Sequence, residues 1–178
     1  MNIFDVHIKN GEVIDGTGAP KFKSDIVINK GKIIGIFPAE NGDVRDPSEN
    51  HFLSNFRAKH TINAENKIIS PGFIDVHTHD DDNVFLDPSM SSKISQGVTT
   101  CVAGNCGISL APFSYKGEVP APIALLGKSE VFRFPRVSNY KEEFNNKPSS
   151  VNLALLTGHS MLRVEAMNGE FNRPATSK

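Results

Sequence analysis

An apolar run ends in a histidine pair at Ile69-Ser70-Pro71-Gly72-Phe73-Ile74-Asp75-Val76-His77-Thr78-His79-Asp80-Asp81. Pro71-Gly72 punctuates the chain as a turn. Phe73, Ile74 and Val76 then suit a buried strand. Successive side chains of a strand point to opposite faces, so His77 and His79 share one. Two imidazoles a residue apart on one face can hold one metal ion together. The pattern predicts a strand over residues 73–79 that delivers two ligands at its C-terminal end. That is the end where parallel α/β barrels build their sites. A bare His-x-His pair also occurs in strands that bind nothing. In a buried strand, however, two imidazoles need partners, either a metal or hydrogen bonds.

The chain has 178 residues, room for one ordinary domain or two small ones. It is 38% hydrophobic and 22% charged, as soluble globular proteins are. Lys plus Arg is 19 and Asp plus Glu is 20, a net charge of −1 that speaks against a nucleic-acid surface. Met1-Asn2-Ile3-Phe4-Asp5 lacks the basic start and apolar run of a signal peptide. No apolar stretch approaches the roughly 18 residues of a membrane span, so no membrane partner and a cytoplasmic location are expected. Cys101 and Cys106 lie too close together, in an expectedly reducing compartment, for a structural disulfide.

Residues 1–68 read as short strands and turns, a small β-domain. Phe4, Val6 and Ile8 alternate with Asp5, His7 and Lys9. Asn10-Gly11 reads as a hairpin turn, with Val13-Ile14 resuming the strand. Ile26-Val27-Ile28, Asn29-Lys30-Gly31-Lys32 and Ile33-Ile34-Gly35-Ile36 form a second strand-turn-strand unit. Gly16-Thr17-Gly18 precedes no helix and is read as a turn, not a phosphate loop. Residues 41–59 are polar and aperiodic, a surface loop with His51 and His60 in or beside it.

Residues 69–178 carry the chemistry. Asp80 and Asp81 are either solvated, as most acidic runs are, or partners that orient an imidazole. Pro88 to Gly97 reads as a short helix closed by glycine. Val98-Thr99-Thr100-Cys101-Val102-Ala103 is a β-branched strand, with Cys101 in the core. Two glycines bracket Cys106 in Gly104-Asn105-Cys106-Gly107, so the backbone can turn tightly and present the sulfur. A thiolate suits zinc, whereas most free cysteines are buried and inert. The position of Cys106 at a strand end, one unit after His79, favours the ligand. Residues 108–135 carry no assignable pattern. Residues 138–145 suit a short amphipathic helix with Tyr140 and Phe144 four apart. Residues 151–156 form a third buried strand, and the chain is expected to trail off after Arg163. His159, just past that third strand, either faces the site or is structural.

These elements resemble the N-acyl-D-amino-acid deacylases (D-aminoacylases) of the amidohydrolase superfamily. The likeness rests on Pro71 to Asp81, Gln96-Gly97-Val98-Thr99-Thr100, Gly104-Asn105-Cys106-Gly107-Ile108-Ser109 and Gly158-His159-Ser160-Met161-Leu162-Arg163. Asn10 to Gly18 also looks like the family's N-terminal β-domain. The resemblance implies an α/β fold: part of a small β-sandwich domain over 1–68, then an incomplete (β/α)8 metallo-hydrolase barrel of about three βα units over 69–178. It implies Zn2+ as cofactor, Cys106 as a zinc ligand, and His77 and His79 as the pair binding a second, weaker metal. Family members are much longer. Their other ligands are histidines of later strands, and a late aspartate is the catalytic base. A (β/α)8 barrel needs about 250 residues.

The expected activity is metal-dependent hydrolysis of a non-peptide C–N bond in a small N-acyl amino acid. The 178 residues alone are expected to be an N-terminal fragment that binds zinc weakly and is inactive, with no catalytic base of its own. The alternatives are a non-catalytic remnant, or half of a split enzyme completed by a C-terminal chain. Another superfamily hydrolase, dihydroorotase- or hydantoinase-like, is disfavoured by Gly104-Asn105-Cys106-Gly107.

Overall fold

In the computed structural model, which describes residues 2–38, 56–169 and 172–176, the chain divides into two units, Met1–Pro71 and Gly72–Lys178. The first is built on one long strand, β1 (Asn2–Val13). β2 (Phe22–Asn29) lies antiparallel to it, and β3 (Lys32–Pro38) antiparallel to β2. Their connection is the expected two-residue turn, Lys30-Gly31, with φ of 50° and 72°. β4 (Phe56–Asn63) and then β5 (Ile68–Ile69) run parallel to β1. The result is one mixed sheet of order β3-β2-β1-β4, with β5 also on β1. Val13, Ile26, Val27 and Ala64 are buried in this unit.

Asn10-Gly11 makes no hairpin. β1 runs straight through it, and the register against β2 slips by one residue between Ile8 and Gly11. This is a bulge. Asn10 takes φ 64°, and its amide donates to Asp25 Oδ1 at 2.9 Å. The other Asp25 oxygen lies 2.8 Å from His7 Nε2. A buried side chain thus satisfies the amide that the bulge takes out of the ladder. The expected 41–59 loop loses its last four residues, 56–59, to β4. Most of that stretch, His51 included, lies outside the described residues. His60 is exposed on β4.

The second unit contains a three-stranded sheet of β6 (Phe73–Asp75), β7 (Val98–Ala103) and β10 (Asn152–Leu155), in order β10-β7-β6. Both pairings are parallel, as connections too long for hairpins require. Two short helices, α1 (Asn83–Leu86) and α2 (Ser91–Ile94), join β6 to β7. The 108–135 stretch, unreadable in sequence, places β8 (Phe113–Ser114) antiparallel to β9 (Arg133–Phe134). The expected amphipathic helix is α3 (Val137–Asn146). The chain does not trail off at Arg163, which lies inside α4 (His159–Ala166), a helix with Met161 and Val164 buried. Its sequence is short and mixed, and packing rather than propensity supplies its stability.

Cys101, Leu110, Phe113, Ile123, Phe132, Phe134 and Tyr140 form the core of this unit. Each large apolar side chain so buried contributes roughly 1.5–3 kcal/mol. Phe85 packs edge-on against Tyr140 at a centroid distance of 5.1 Å. Three expectations are corrected. The third strand is not buried: β10 alternates exposed and half-buried residues, and Leu156 after it is 48% exposed. The first strand's ladder stops at Asp75 instead of running to His79. Phe73, Ile74 and Val76 are also exposed, at 58%, 60% and 69%. β6 is an edge strand of this sheet.

Candidate metal centre

Although β6 ends early, the chain stays beside β7 for another turn of sequence. The Thr78 amide donates to the Val102 carbonyl at 3.0 Å, and its hydroxyl to the same oxygen at 3.2 Å. Thr78 is buried, while His77 is exposed and His79 half-buried. The two imidazoles stand with ring centroids 5.9 Å apart at 72°. The two rings stand together although the segment that carries them is not a strand.

Cys106 reaches the pair from the end of β7. Gly104, Cys106 and Gly107 all have positive φ, at 81°, 56° and 75°. A Cβ on Gly104 would come within 2.2 Å of the Leu156 carbonyl oxygen. Only glycine admits that approach, and the loop turns back sharply as a result. The Asn105 side chain donates to the Val102 carbonyl at 2.7 Å and to the Thr78 carbonyl at 3.4 Å. It thereby ties the Cys106 loop to the histidine segment. The loop is tied on its other side as well, where the Ser160 amide donates to the Gly107 carbonyl at 2.8 Å.

The outcome is a cluster of three ligands of two types. One ligand atom each from His77, His79 and Cys106 lies within 4.8 Å of the others. His77 Nε2 is 3.0 Å from Cys106 Sγ. His79 Nδ1 is buried with no hydrogen-bond partner among the described residues. An unpartnered buried nitrogen costs free energy. Two imidazoles and a thiolate are a donor set zinc accepts, with about 2.0 Å to nitrogen and about 2.3 Å to sulfur. The residues present fit a metal ion.

The other candidates lie nearby in different roles. Asp80 and Asp81 do not hydrogen-bond either imidazole. Asp80 pairs with Lys93 at 3.0 Å. Asp81 is fully buried and accepts the Gly104 and Leu110 amides at 3.3 Å each. Burial pushes its carboxyl above the usual aspartate range, against those two amides, which favour the charged form. Its own carbonyl accepts the Tyr140 hydroxyl at 2.6 Å. Asp81 thus braces the Cys106 loop instead of orienting a ring. His159 opens α4, exposed, and is not among the three converging residues. Cys101 is fully buried, as expected of a core residue, and burial raises its thiol pKa. Sequence reading missed Asn105, Tyr140 and Lys93, whose roles depend on partners 3 to 59 positions away. Among the described residues no helix is long and apolar enough to cross a membrane.

Known proteins resemble this chain in sequence and in fold. The D-aminoacylase of Alcaligenes xylosoxydans xylosoxydans is 38% identical over 176 residues, 98% of this chain and 33% of its own length. A solved D-aminoacylase structure, described for the functional role of its binuclear metal centre, superposes with a TM-score of 0.83. It is 42% identical over 98% of this chain and 33% of its own. The N-acyl-D-glutamate deacylase of Bordetella bronchiseptica, solved with zinc and a phosphonate inhibitor, gives a TM-score of 0.78 at 39% identity. That match covers 93% of this chain and 32% of the other. The chain thus spans about a third of the length of the relatives it matches. The family model described as "Amidohydrolase family" matches residues 60–177, a range that includes both histidines, the cysteine and all three parallel strands. The chain belongs to the amidohydrolase family.

Proposed function

We infer that these residues supply the first metal ligands of a zinc-dependent hydrolase that removes the acyl group from N-acyl-D-amino acids. The observation that carries this reading is the convergence of His77, His79 and Cys106 on one point, within 4.8 Å of one another. Supporting it are the deacylase relatives at 38–42% identity, one of them solved with zinc. The architecture it calls for is the opening of a (β/α)8 barrel over 69–178, with part of a β-sandwich domain over 1–68. Three parallel strands in sequence order and two unpaired sheet edges, at β6 and β10, fit that beginning.

Cys106 would hold the zinc and the His77/His79 pair the second, weaker metal that the family likeness implies, all three ligand atoms lying close enough to share an ion. When bound, such an ion polarises an amide carbonyl and lowers the pKa of water. The chain's residues fix where that chemistry takes place. Asn105 and Thr78 hold the two ligand segments together, and Asp81 braces the cysteine loop. Cys106 and His77 are exposed, so an acyl-amino acid can approach them. His159 begins the helix whose Ser160 amide is bonded to Gly107. His159 itself is exposed, and this reading assigns it to the substrate side. A hydrolysis also needs a base within hydrogen-bond reach of the water. Asp80, the nearest carboxylate in sequence, is engaged by Lys93. Further βα units, in the same chain or a complementing one, would supply the base and the groups that bind the substrate carboxylate.

The test is a chimera in which these 178 residues replace the matching third of the Alcaligenes D-aminoacylase. It should release free D-amino acids from N-acyl-D-amino acids in a zinc-dependent manner, and lose this with Cys106→Ala or His77→Ala. The 178 residues alone, given zinc, should release none. A folded chimera that loads zinc yet leaves N-acyl-D-amino acids intact would overturn the substrate assignment. Release by the 178 residues alone would overturn the need for further units.

A further inference from the structure

The segment that carries both histidines is not held by a strand ladder, because β6 ends at Asp75 and residues 76–80 are irregular. What fixes its two ends is one side chain. Lys93 Nζ lies 2.7 Å from Asp75 Oδ2 and 3.0 Å from Asp80 Oδ2. Asp75 stands two positions before His77, and Asp80 one after His79. The ammonium therefore brackets the ligand pair and closes residues 75–80 into a loop across its base. Lys93 comes from α2, an element with no metal ligand of its own.

We propose that Lys93 is a positioning residue for the metal centre, clamping Asp75 and Asp80 so that His77 and His79 stay at the spacing a shared ion requires. The inference rests on the metal-binding reading above.

Several observations bear on it. The lysine side chain is only 21% exposed. It is thus shielded from the solvent screening that makes most surface ion pairs nearly worthless. The two arms differ: the ammonium donates a hydrogen bond to Asp75, whereas Asp80 Oδ2 is held by charge at 3.0 Å without hydrogen-bond geometry. The Asp75 carboxylate also accepts the His77 amide, at 3.4 Å, so the clamp reaches the ligand's own backbone. The Asp80 carboxylate accepts from Asn83, at 3.4 Å, which ties the far end into α1. Without the ammonium, two carboxylates would flank the histidines uncompensated. Each would be free to swing toward a bound cation or away from its neighbour, and either motion spoils a preset ligand geometry. Loss of a residue that orients metal ligands typically costs on the order of 10- to 100-fold in metal affinity.

The experiment is a Co2+ titration of the purified 178-residue chain, followed by visible absorption and by competition with a chelator. Wild type should show a thiolate-to-cobalt charge-transfer band that disappears in Cys106→Ala. Lys93→Met, which keeps the length of the stem and removes the charge, should weaken Co2+ binding at least about tenfold and broaden or shift the ligand-field bands. Lys93→Arg should restore most of the affinity and the wild-type spectrum. A merely structural role would lower the melting point of Lys93→Met without changing its spectrum at a temperature where it is folded. That result, or equal affinity in wild type and Lys93→Met, overturns the proposal and leaves the metal reading intact. Absence of the Cys106-dependent band in wild type overturns the metal reading itself, and this inference with it. Should Lys93→Met not fold, Asp80→Asn opens one arm of the clamp in the same assay. Unchanged affinity and spectrum there overturn the proposal equally.

Discussion

His77 Nε2 and Cys106 Sγ lie 3.0 Å apart, although 29 positions separate them in the chain. Two loops at the ends of adjacent parallel strands, β6 and β7, bring them together. The left-handed backbone at Gly104, Cys106 and Gly107 aims the sulfur at the imidazole.

The first prediction concerns that pair. Cys106→Ala should cost more zinc affinity than removal of a supporting residue does, hence more than about 100-fold. Competition against a chromophoric chelator measures it. Cys101→Ala, which changes only a buried core thiol, should leave zinc affinity within about twofold of wild type and cost stability instead. Equal zinc affinity in Cys106→Ala and wild type would remove the thiolate from the site.

Gly104 is the second test. Its φ is 81°, and a methyl group there meets the Leu156 carbonyl oxygen at 2.2 Å. Gly104→Ala should destabilise the chain by more than the about 1–2 kcal/mol that a left-handed backbone costs an L residue. Leu156 cannot move cheaply, because its amide is bonded to the Ala103 carbonyl at 2.9 Å. Urea unfolding would show the loss as a lower midpoint at unchanged slope.

Tyr140 is the third. Its hydroxyl donates to the buried Asp81 carbonyl, and burial holds its pKa far above the usual tyrosine range. Tyr140→Phe keeps the ring contacts with Phe85 and Phe134 and leaves one buried carbonyl unpaired. The expected cost is about 1–3 kcal/mol, read from the same urea curves. A neutral result would mean that the carbonyl finds another donor.

The fourth is a pH dependence in the first unit. Asp5 accepts from the Lys59 ammonium at 2.7 Å and from the Lys30 amide at 2.6 Å. Both lower its pKa, the Lys59 hydrogen bond most. The unfolded chain therefore binds this proton more readily than the folded one. The stabilisation is present above the unfolded value of about 3.9 and is lost as pH falls through the lower folded value. Asp5→Asn should lack this step, so its stability and that of wild type should separate above about pH 4 and converge as pH falls through the lower folded value. Because the group is partly exposed, the separation should shrink in high salt. A constant gap across the acid range would assign the effect to something other than this proton.

Much of this site could be read from residues alone. The His-x-His pair announces two neighbouring imidazoles, although the strand expected to carry them ends at Asp75. The bracketing glycines of Cys106 announce a tight turn. The Lys30-Gly31 turn, the β-branched run of β7 and the parallel pairing are likewise consequences of local propensity or of connection length. The family likeness was also visible in contiguous motifs.

What the residues could not reveal depends on distant partners. Asn10-Gly11 carries a hairpin signal, yet a carboxylate from β2 takes up its amide and makes it a bulge. Asp80 and Asp81 look equivalent beside the histidines. Tertiary structure gives one to Lys93 and buries the other beneath the cysteine loop. His159 sits at a plausible strand end but outside the ligand cluster, because a helix begins there. A side chain's type and spacing decide what it can do. Which neighbour satisfies it is decided only when the chain closes loops tens of residues long, and no local pattern encodes that choice.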